Sequence, residues 1–208
     1  MKIRGLVFGV GINDADYVVK RWKTIEVDGK RKRKRVWECP FYRTWYSMLN
    51  RCYSAKFQEL RPTYKGCSVS EEWKTFSNFR AWMVTQGWEG MQLDKDLLFA
   101  GNKIYSAETC VFVTHSVNSF TLDRGNDRGE WMIGAYLDKR RSKFQSRCSN
   151  PFTNKQENLG YFDSEQEAHQ EWLKCKLELA YELAEMQTDQ RVAEALISRY
   201  SNYKTNNY

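Results

Sequence analysis

The sequence of 208 residues lacks several features that mark common classes of protein. It has no apolar stretch approaching the roughly 18 residues of a membrane-spanning helix, so we expect no membrane contact. Its cysteines include no C-x-x-C pair, which argues against a zinc knuckle or a redox dithiol. The short apolar run at the N-terminus is not followed by a small-residue cleavage site, so no export signal is indicated. We therefore expect a cytoplasmic protein.

The six cysteines are spread widely along the chain. Reduced, mostly buried thiols are the expectation for such spacing in the cytosol. One alternative stays open, because residues distant in sequence can converge on a zinc ion. The four cysteines of that composite site would be Cys39, Cys52, Cys67 and Cys110.

The charge of the chain is strongly positive, with a formal net charge of +7 and a pI near 9.0. Lysines and arginines that neutralise phosphates release condensed counterions, so this balance favours a polyanionic partner. Solubility alone is the other explanation of the charge. The aromatic share of 15% includes eight tryptophans, which can serve as core anchors or as stacking surfaces.

A basic β-hairpin is predicted near the N-terminus. Two extended runs, Tyr17 to Val27 and Lys30 to Cys39, flank Asp28-Gly29, a dipeptide typical of a tight type I′ turn. An unbroken cationic run opens the second strand, so both of its faces are positive near the turn. The run consists of Lys30, Arg31, Lys32, Arg33, Lys34 and Arg35. We expect it to contact phosphates; a solvated edge strand that resists aggregation is the alternative.

The middle of the chain alternates between helical and extended patterns. Apolar residues from Phe41 to Cys52 recur at helical spacing, and Ser70 is placed to cap a second helix that carries Trp73, Phe76, Phe79 and Met83. Strands are expected at Met91 to Asp96 and Thr109 to Val113, followed by a helical turn at Ser116 to Phe120.

A second module is predicted after a polar, glycine-containing linker at 123–130. Its strands are expected at Trp131 to Leu137, Lys143 to Cys148 and Leu159 to Phe162. Ser164 and Glu167 form the pattern of a capping box that opens a long helix. The inward face of that helix is predicted to hold Ala168, Trp172, Cys175, Leu179 and Leu183, and Asp189 to cap a last helix.

The predicted fold class is therefore α+β. A basic N-terminal β-hairpin is followed by a ββα module and by a three-stranded antiparallel sheet packed on a helix. The predicted segments are the hairpin region 1–39, the ββα module 40–122, the linker 123–130, the three-stranded domain 131–188, and a C-terminal helix with its tail, 189–208.

The second module resembles the apetala/ethylene-response-factor DNA-binding domain over about residues 129–184. The matching residues are Gly134-Ala135-Tyr136, Phe144-Gln145-Ser146-Arg147, Leu159-Gly160-Tyr161-Phe162 and Ser164 to Ala168. The resemblance implies a sheet laid in the DNA major groove. The contacts that it implies are Arg140, Arg141, Lys143 and Arg147. Phe144 replaces a tryptophan usual in that family, and the turn from Ser149 to Asn158 is longer.

The first module is similar to HNH-like and homing-endonuclease-like proteins of phages over about residues 40–120. The similarity rests on Tyr42 to Cys52, Cys67-Ser68-Val69, Leu93 to Asp96, the Asn102 loop, Glu108 to Val113 and Asn118. It implies a metal, Mg²⁺ in a nuclease, held by Asp94 and Asn118. For a phage-encoded protein the compartment would be the host cytosol.

The residues at the catalytic positions of the HNH motif differ from those that the resemblance implies. The general base of an HNH nuclease normally follows the aspartate, and that position holds Lys95, whose side chain is protonated at neutral pH. Thr109 stands where the middle asparagine of the motif is expected. Of the two histidines, His115 is close in sequence to Asn118, and His169 is expected to be a surface or helix-packing residue.

Three functions follow from these patterns. The first is a DNA-binding protein of phage or mobile-element type, a catalytically degenerate relative of homing endonucleases that needs no cofactor to bind double-stranded DNA. The second is an active HNH-type, metal-dependent endonuclease using Asp94, Lys95, His115 and Asn118. The third is an adaptor for an acidic protein. RNA is a further nucleic-acid partner, since cations and aromatics bind both.

Overall fold

A computed structural model describes residues 5–122 and 130–203 of the chain. The fold is α+β, as the sequence predicts. The chain forms two compact units, Met1–Phe112 and Val113–Tyr208. The predicted linker lies outside the described residues except for Glu130. No helix in the described ranges combines the length and the apolar character needed to cross a membrane.

The first unit begins with the predicted hairpin. Strands β1 (Lys20–Val27) and β2 (Lys30–Glu38) pair in antiparallel register. Asp28 and Gly29 connect them with φ values of 53° and 69°, the left-handed region that a type I′ turn requires. At the base, the Cys39 amide donates a hydrogen bond of 2.9 Å to the Val19 carbonyl.

The core of the first unit lies between helices α1 (Pro40–Tyr53) and α3 (Phe76–Met83). Pro40 occupies the first turn of α1, where its missing N–H costs no hydrogen bond. Trp45 is fully buried, and its indole N–H donates to the Trp73 carbonyl at 2.7 Å. A short helix α2 (Ala55–Leu60), which the sequence analysis did not include, follows α1 with Ser54 as its cap.

Helix α3 corrects the prediction that Ser70 caps it. Glu72–Lys74 form one 3₁₀ turn, and the α-helix starts only at Phe76. The cause is a contact distant in sequence, because Ile12 bonds through its amide to Lys74 and through its carbonyl to Phe76. The carboxylate of Asp14 then accepts the Ser77 amide at 2.9 Å and satisfies one open donor of the first turn.

Short strands complete the first unit. β3 (Ser68–Val69) pairs in parallel with β5 (Ile104–Tyr105), and β4 (Gln92–Asp94) pairs with β6 (Val111–Val113). Helix α4 (His115–Thr121), which belongs to the second unit, follows β6 along the chain. The Thr114 hydroxyl caps α4 by accepting the Val117 amide.

The second unit contains the three-stranded sheet. β7 (Ala135–Asp138), β8 (Lys143–Asn150) and β9 (Lys155–Phe162) are antiparallel, in the order β7-β8-β9. Helices α5 (Glu165–Glu185) and α6 (Gln190–Ser201) follow. The predicted capping box of Ser164 and Glu167 is confirmed, as is the Asp189 cap of α6.

One face of this sheet packs against α5. The Ser146 hydroxyl donates to the Ala168 carbonyl at 2.7 Å. Gly134 has a φ of 84°, and a Cβ at this position would collide with Trp172. The prediction for the inward side chains of α5 is wrong in one place: Cys175 is only partly buried, whereas Lys176 is buried.

Candidate nucleic-acid interface

The sheet of the second unit leaves its other face open to solvent. Side chains alternate between faces along a strand, and residues paired across strands share a face. Because Ser146 faces α5, the next row points the opposite way; it consists of Tyr136, Gln145 and Tyr161. We call this surface the open face and include in it Arg147 and Asn158, which bond to Gln145, and Lys143, which precedes Gln145 by two residues on β8 and so lies on the same face.

A chain of hydrogen bonds orders the centre of the open face. Nε of Arg147 donates to Oε1 of Gln145 at 2.7 Å, and Nε2 of Gln145 donates to Oδ1 of Asn158 at 3.0 Å. The bond to Gln145 uses the inner nitrogen of the guanidinium and not the edge that its two terminal nitrogens form. This edge has the geometry of a bidentate donor.

Aromatic rings support two of the arginines. The Arg147 guanidinium lies 5.5 Å from the centre of the Tyr136 ring, and that of Arg141 lies 4.4 Å from the Tyr161 ring. Cation–π contacts of this kind restrict the rotamers of a long side chain. Both arginines are therefore held in place before any partner binds.

The predicted contacts Arg140 and Arg141 lie in the turn after β7, between the first two strands of the sheet. The turn forms because Asp138 accepts the backbone amides of both residues. Arg141 also lies 3.6 Å from the Asp138 carboxylate, and Lys143 pairs with Asp163 at 3.0 Å. Arg140, Arg141 and Lys143 remain exposed at one end of the open face.

The two faces of the hairpin in the first unit carry different cationic residues. Register places Lys30, Lys32 and Lys34 on one face and Arg31, Arg33 and Arg35 on the other. All six side chains are exposed. The cationic run is therefore exposed on both faces of the ribbon.

The lysine face of the hairpin comprises Lys23, Lys30, Lys32 and Lys34, together with Ile25 and Val27. Lys23 lies directly opposite Lys34, a like-charge pair that destabilises an isolated hairpin. None of the ion pairs between described residues involves these four lysines. A polyanion would remove this repulsion.

The arginine face is partly neutralised within the hairpin itself. Arg35 pairs with Glu38 at 2.9 Å, and Arg31 lies directly opposite Glu26. The guanidinium of Arg33 lies 5.5 Å from the centre of the Trp22 ring. The two faces thus differ in how much charge they offer to a partner.

The proposed catalytic pair of the first unit is engaged in local structure. Oδ1 of Asp94 accepts the amides of Asp96 and Leu97 at 2.9 and 2.7 Å, which shapes the turn after β4. Burial and the neighbouring Asp96 raise the pKa of the Asp94 carboxyl. The buried ammonium of Lys95 bonds to the Asn102 carbonyl and to the Asp96 carboxylate, so it stabilises the same loop.

Asn102 holds the two ends of this loop together. Its side-chain amide donates to the carbonyls of Lys95 and Ile104 and accepts the Ile104 amide. Thr109, at the position of the expected middle asparagine, donates its hydroxyl to the same Ile104 carbonyl. The loop therefore has two polar side chains dedicated to its shape.

His115 and Asn118 lie on α4 in the second unit, whereas Asp94 and Lys95 belong to the first. His115 is exposed, and its Nε2 lies 3.3 Å from the Ser119 hydroxyl. In the ranges that the structure describes, no group of three or more His, Cys, Asp or Glu residues is arranged to hold a metal ion. The cysteines are free thiols, and burial raises the pKa of Cys52 and Cys110 to about 12.

The sequence analysis predicted no contact role for four residues of the open face: Tyr136, Gln145, Asn158 and Tyr161. Strand alternation starting from Arg147 would have found Gln145, whereas Asn158 and Tyr161 depend on the register of β9. Comparison of the chain with models of protein families, with curated proteins and with solved structures finds no match. The function is therefore inferred from these two surfaces and not from a relative.

Proposed function

We propose that this protein binds double-stranded DNA through the lysine face of the hairpin and the open face of the sheet. The observation that carries the proposal is the geometry of Arg147, whose guanidinium is fixed by Gln145 and Tyr136 on an exposed sheet surface. A bidentate arginine edge matches O6 and N7 of guanine in the major groove. The open face would therefore read bases.

The hairpin would supply affinity of a different kind. A two-stranded ribbon fits the major groove, and exposed lysines contact phosphates as point charges. Such contacts fix the position of a protein on the duplex and carry no sequence information directly. The arrangement of sheet and helix in the second unit supports its assignment as an ethylene-response-factor-type domain, which remains part of the proposal.

Binding to defined partners tests this function. We expect the purified protein to bind a DNA duplex with an affinity that falls steeply as salt rises, because bound phosphates release counterions. Duplex RNA, single-stranded DNA and polyglutamate serve as competitors in the same fluorescence-anisotropy assay. Stronger competition by RNA than by duplex DNA would show that RNA is the preferred partner. Competition by polyglutamate equal to that of duplex DNA would favour the adaptor function.

We further propose that the protein does not cut DNA. The loop that would supply the base uses Lys95 as a structural cation, and loss of a positioned proton acceptor costs roughly 10² to 10⁴ in rate. A plasmid that contains the preferred sequence should remain intact with magnesium or manganese. Cleavage that Asp94→Ala abolishes would show an active nuclease, and further loss in His115→Ala would identify the base.

A further inference from the structure

The second unit contains a cavity of about 550 Å³. It lies among residues of α4, the sheet and α5, and it includes Tyr136 and Arg147 of the open face. The volume falls in the range of roughly 300 to 1,000 Å³ typical of small-molecule sites. The cavity therefore has room for a ligand larger than a simple ion.

The charge of the cavity lining has one sign. Three cations, Arg147, Lys155 and Lys176, line it together with His115. Among the described residues that line the cavity, none is an aspartate or a glutamate. A cavity with this composition favours an anion.

Lys176 is the most unusual of these cations because it is buried, with 7% of its surface exposed. A buried charge is costly unless it is paired, and no ion pair joins Lys176 to a carboxylate in the described residues. Its ammonium donates to the Phe120 carbonyl at 2.7 Å and lies 3.5 Å from the centre of the Phe120 ring. Among the described residues, its hydrogen bonds use one of its three protons.

The rest of the lining suits a heterocyclic base. Tyr136 offers a partly exposed ring for stacking. Side-chain amides that can bond to the edge of a base are supplied by Asn154 and Gln156. A ligand that combines an anion with a flat, polar ring would use both parts of the cavity.

We propose that the cavity binds one nucleotide, with its phosphate against Lys155 and Lys176 and its base against Tyr136 and the amides. The nucleotide would come from the nucleic-acid strand on the open face, and this source of the ligand rests on the proposed function. A strand end or a nucleotide turned out of the duplex could enter, because Tyr136 and Arg147 belong to both surfaces.

Calorimetric titration with mononucleotides tests the site independently of duplex binding. The four deoxynucleoside 5′-monophosphates are the probes, with inorganic phosphate and the deoxynucleosides as partial ligands. We expect at least one monophosphate to bind about tenfold or more tightly than either of its parts. Lys176→Met should weaken this binding by about tenfold, the size expected when a charged hydrogen bond is lost.

The matched control is Lys174→Met, which removes an exposed lysine of the same helix and should leave mononucleotide affinity unchanged. A second variant, Ser119→Trp, fills the cavity and should abolish mononucleotide binding while duplex affinity persists. Thermal unfolding confirms that each variant is folded.

The two proposals fail separately. Absence of monophosphate binding at millimolar concentration, or equal affinity in folded Lys176→Met and Lys174→Met, overturns the cavity site alone. Mononucleotide binding without any duplex binding supports the cavity site and overturns the proposed function.

Discussion

The lysine face of the hairpin and the open face of the sheet present positive charge in opposite ways. On the hairpin, Lys30, Lys32 and Lys34 are exposed, and none of the described ion pairs includes them. On the sheet, the Arg147 guanidinium is fixed by a hydrogen bond and a ring. The first is a flexible array of point charges, and the second is an ordered donor.

This difference assigns different tasks to the two surfaces. A flexible lysine can follow any phosphate and thus contributes similarly on every sequence. An arginine whose orientation is set in advance loses less entropy when it bonds to one base edge, so its contribution depends on sequence. We expect affinity to depend mainly on the hairpin and sequence preference on the sheet.

The largest expected effect is neutralisation of the lysine face. Changing Lys30, Lys32 and Lys34 to Gln should reduce the slope of log K against log salt by about 2.7, at about 0.9 for each phosphate contact. Affinity at 0.1 M salt should fall by roughly 10²-fold or more on every duplex. Salt titrations by fluorescence anisotropy measure both quantities.

The hairpin contains its own matched control. Changing Arg31, Arg33 and Arg35 to Gln removes the same charge, but Arg35 pairs with Glu38 and Arg31 lies opposite Glu26. The salt slope should therefore change less than in the lysine variant. Equal slopes for the two triple variants would show that the faces do not differ in function.

The next effect concerns the stability of the second unit, which holds the sheet surface. Gly134→Ala should destabilise the second unit by about 2 to 4 kcal/mol, because it combines a positive φ with overpacking against Trp172. Gly101→Ala, at a φ of 76° in open space, should cost only about 1 kcal/mol. Chemical denaturation measures both. Equal losses in the two variants would contradict the close approach of β7 and α5.

Sequence preference should respond to Arg147 at constant charge. Arg147→Lys keeps the cation and loses the bidentate edge, so discrimination at one base pair should fall by about 1 to 3 kcal/mol. Nonspecific affinity should hardly change. Arg140→Lys in the exposed turn is the control, and competition with single-base variants of the preferred duplex is the assay. An unchanged sequence preference after Arg147→Lys would show that Arg147 does not read a base.

The smallest effect is a pH dependence of stability. Burial is the main cause that lowers the pKa of Lys176 to about 8, and the nearby positive charge of Arg199 acts in the same direction. Between this value and the higher pKa of an unfolded lysine, only the unfolded state binds the proton, so wild-type stability gains as pH rises. The free energy of unfolding of Lys176→Met, taken relative to that of wild type, should thus fall by roughly 1 to 2 kcal/mol between pH 7 and pH 10.

Unfolding by denaturant at both pH values provides the measurement. Other titrating groups are common to the two proteins and cancel in the difference. Lys174→Met, which removes an exposed lysine of the same helix, is the matched control. A difference between Lys176→Met and wild type that does not change with pH would contradict the effect of burial on Lys176.

Local chemistry explains which parts of the fold the sequence predicts. Asp28-Gly29 specifies its turn through backbone conformation alone, and Ser164 with Glu167 caps α5 within one helical turn. The start of α3 could not be predicted in this way, because it depends on Ile12 and Asp14, which lie more than 60 residues earlier. Short-range signals determine elements, and long-range contacts adjust their ends.

The candidate sites follow the same rule. The cationic run of β2 is visible in the sequence, but the unequal neutralisation of its faces requires the register with β1. Lys176 lies four residues after Trp172, a spacing that places it on the buried side of α5. A lysine at an inward position was the available signal for the cavity, but the chain segments around it converge only in the folded unit.

The central claim is the division of work between the two surfaces, and sequencing the DNA retained from a random duplex pool tests it most directly. Wild type, the lysine-face variant and Arg147→Lys are compared at salt concentrations that give equal retention. The account predicts that wild type and the lysine-face variant enrich the same motif, whereas Arg147→Lys loses one position of it. No enrichment by wild type, or a changed motif in the lysine-face variant alone, would contradict it.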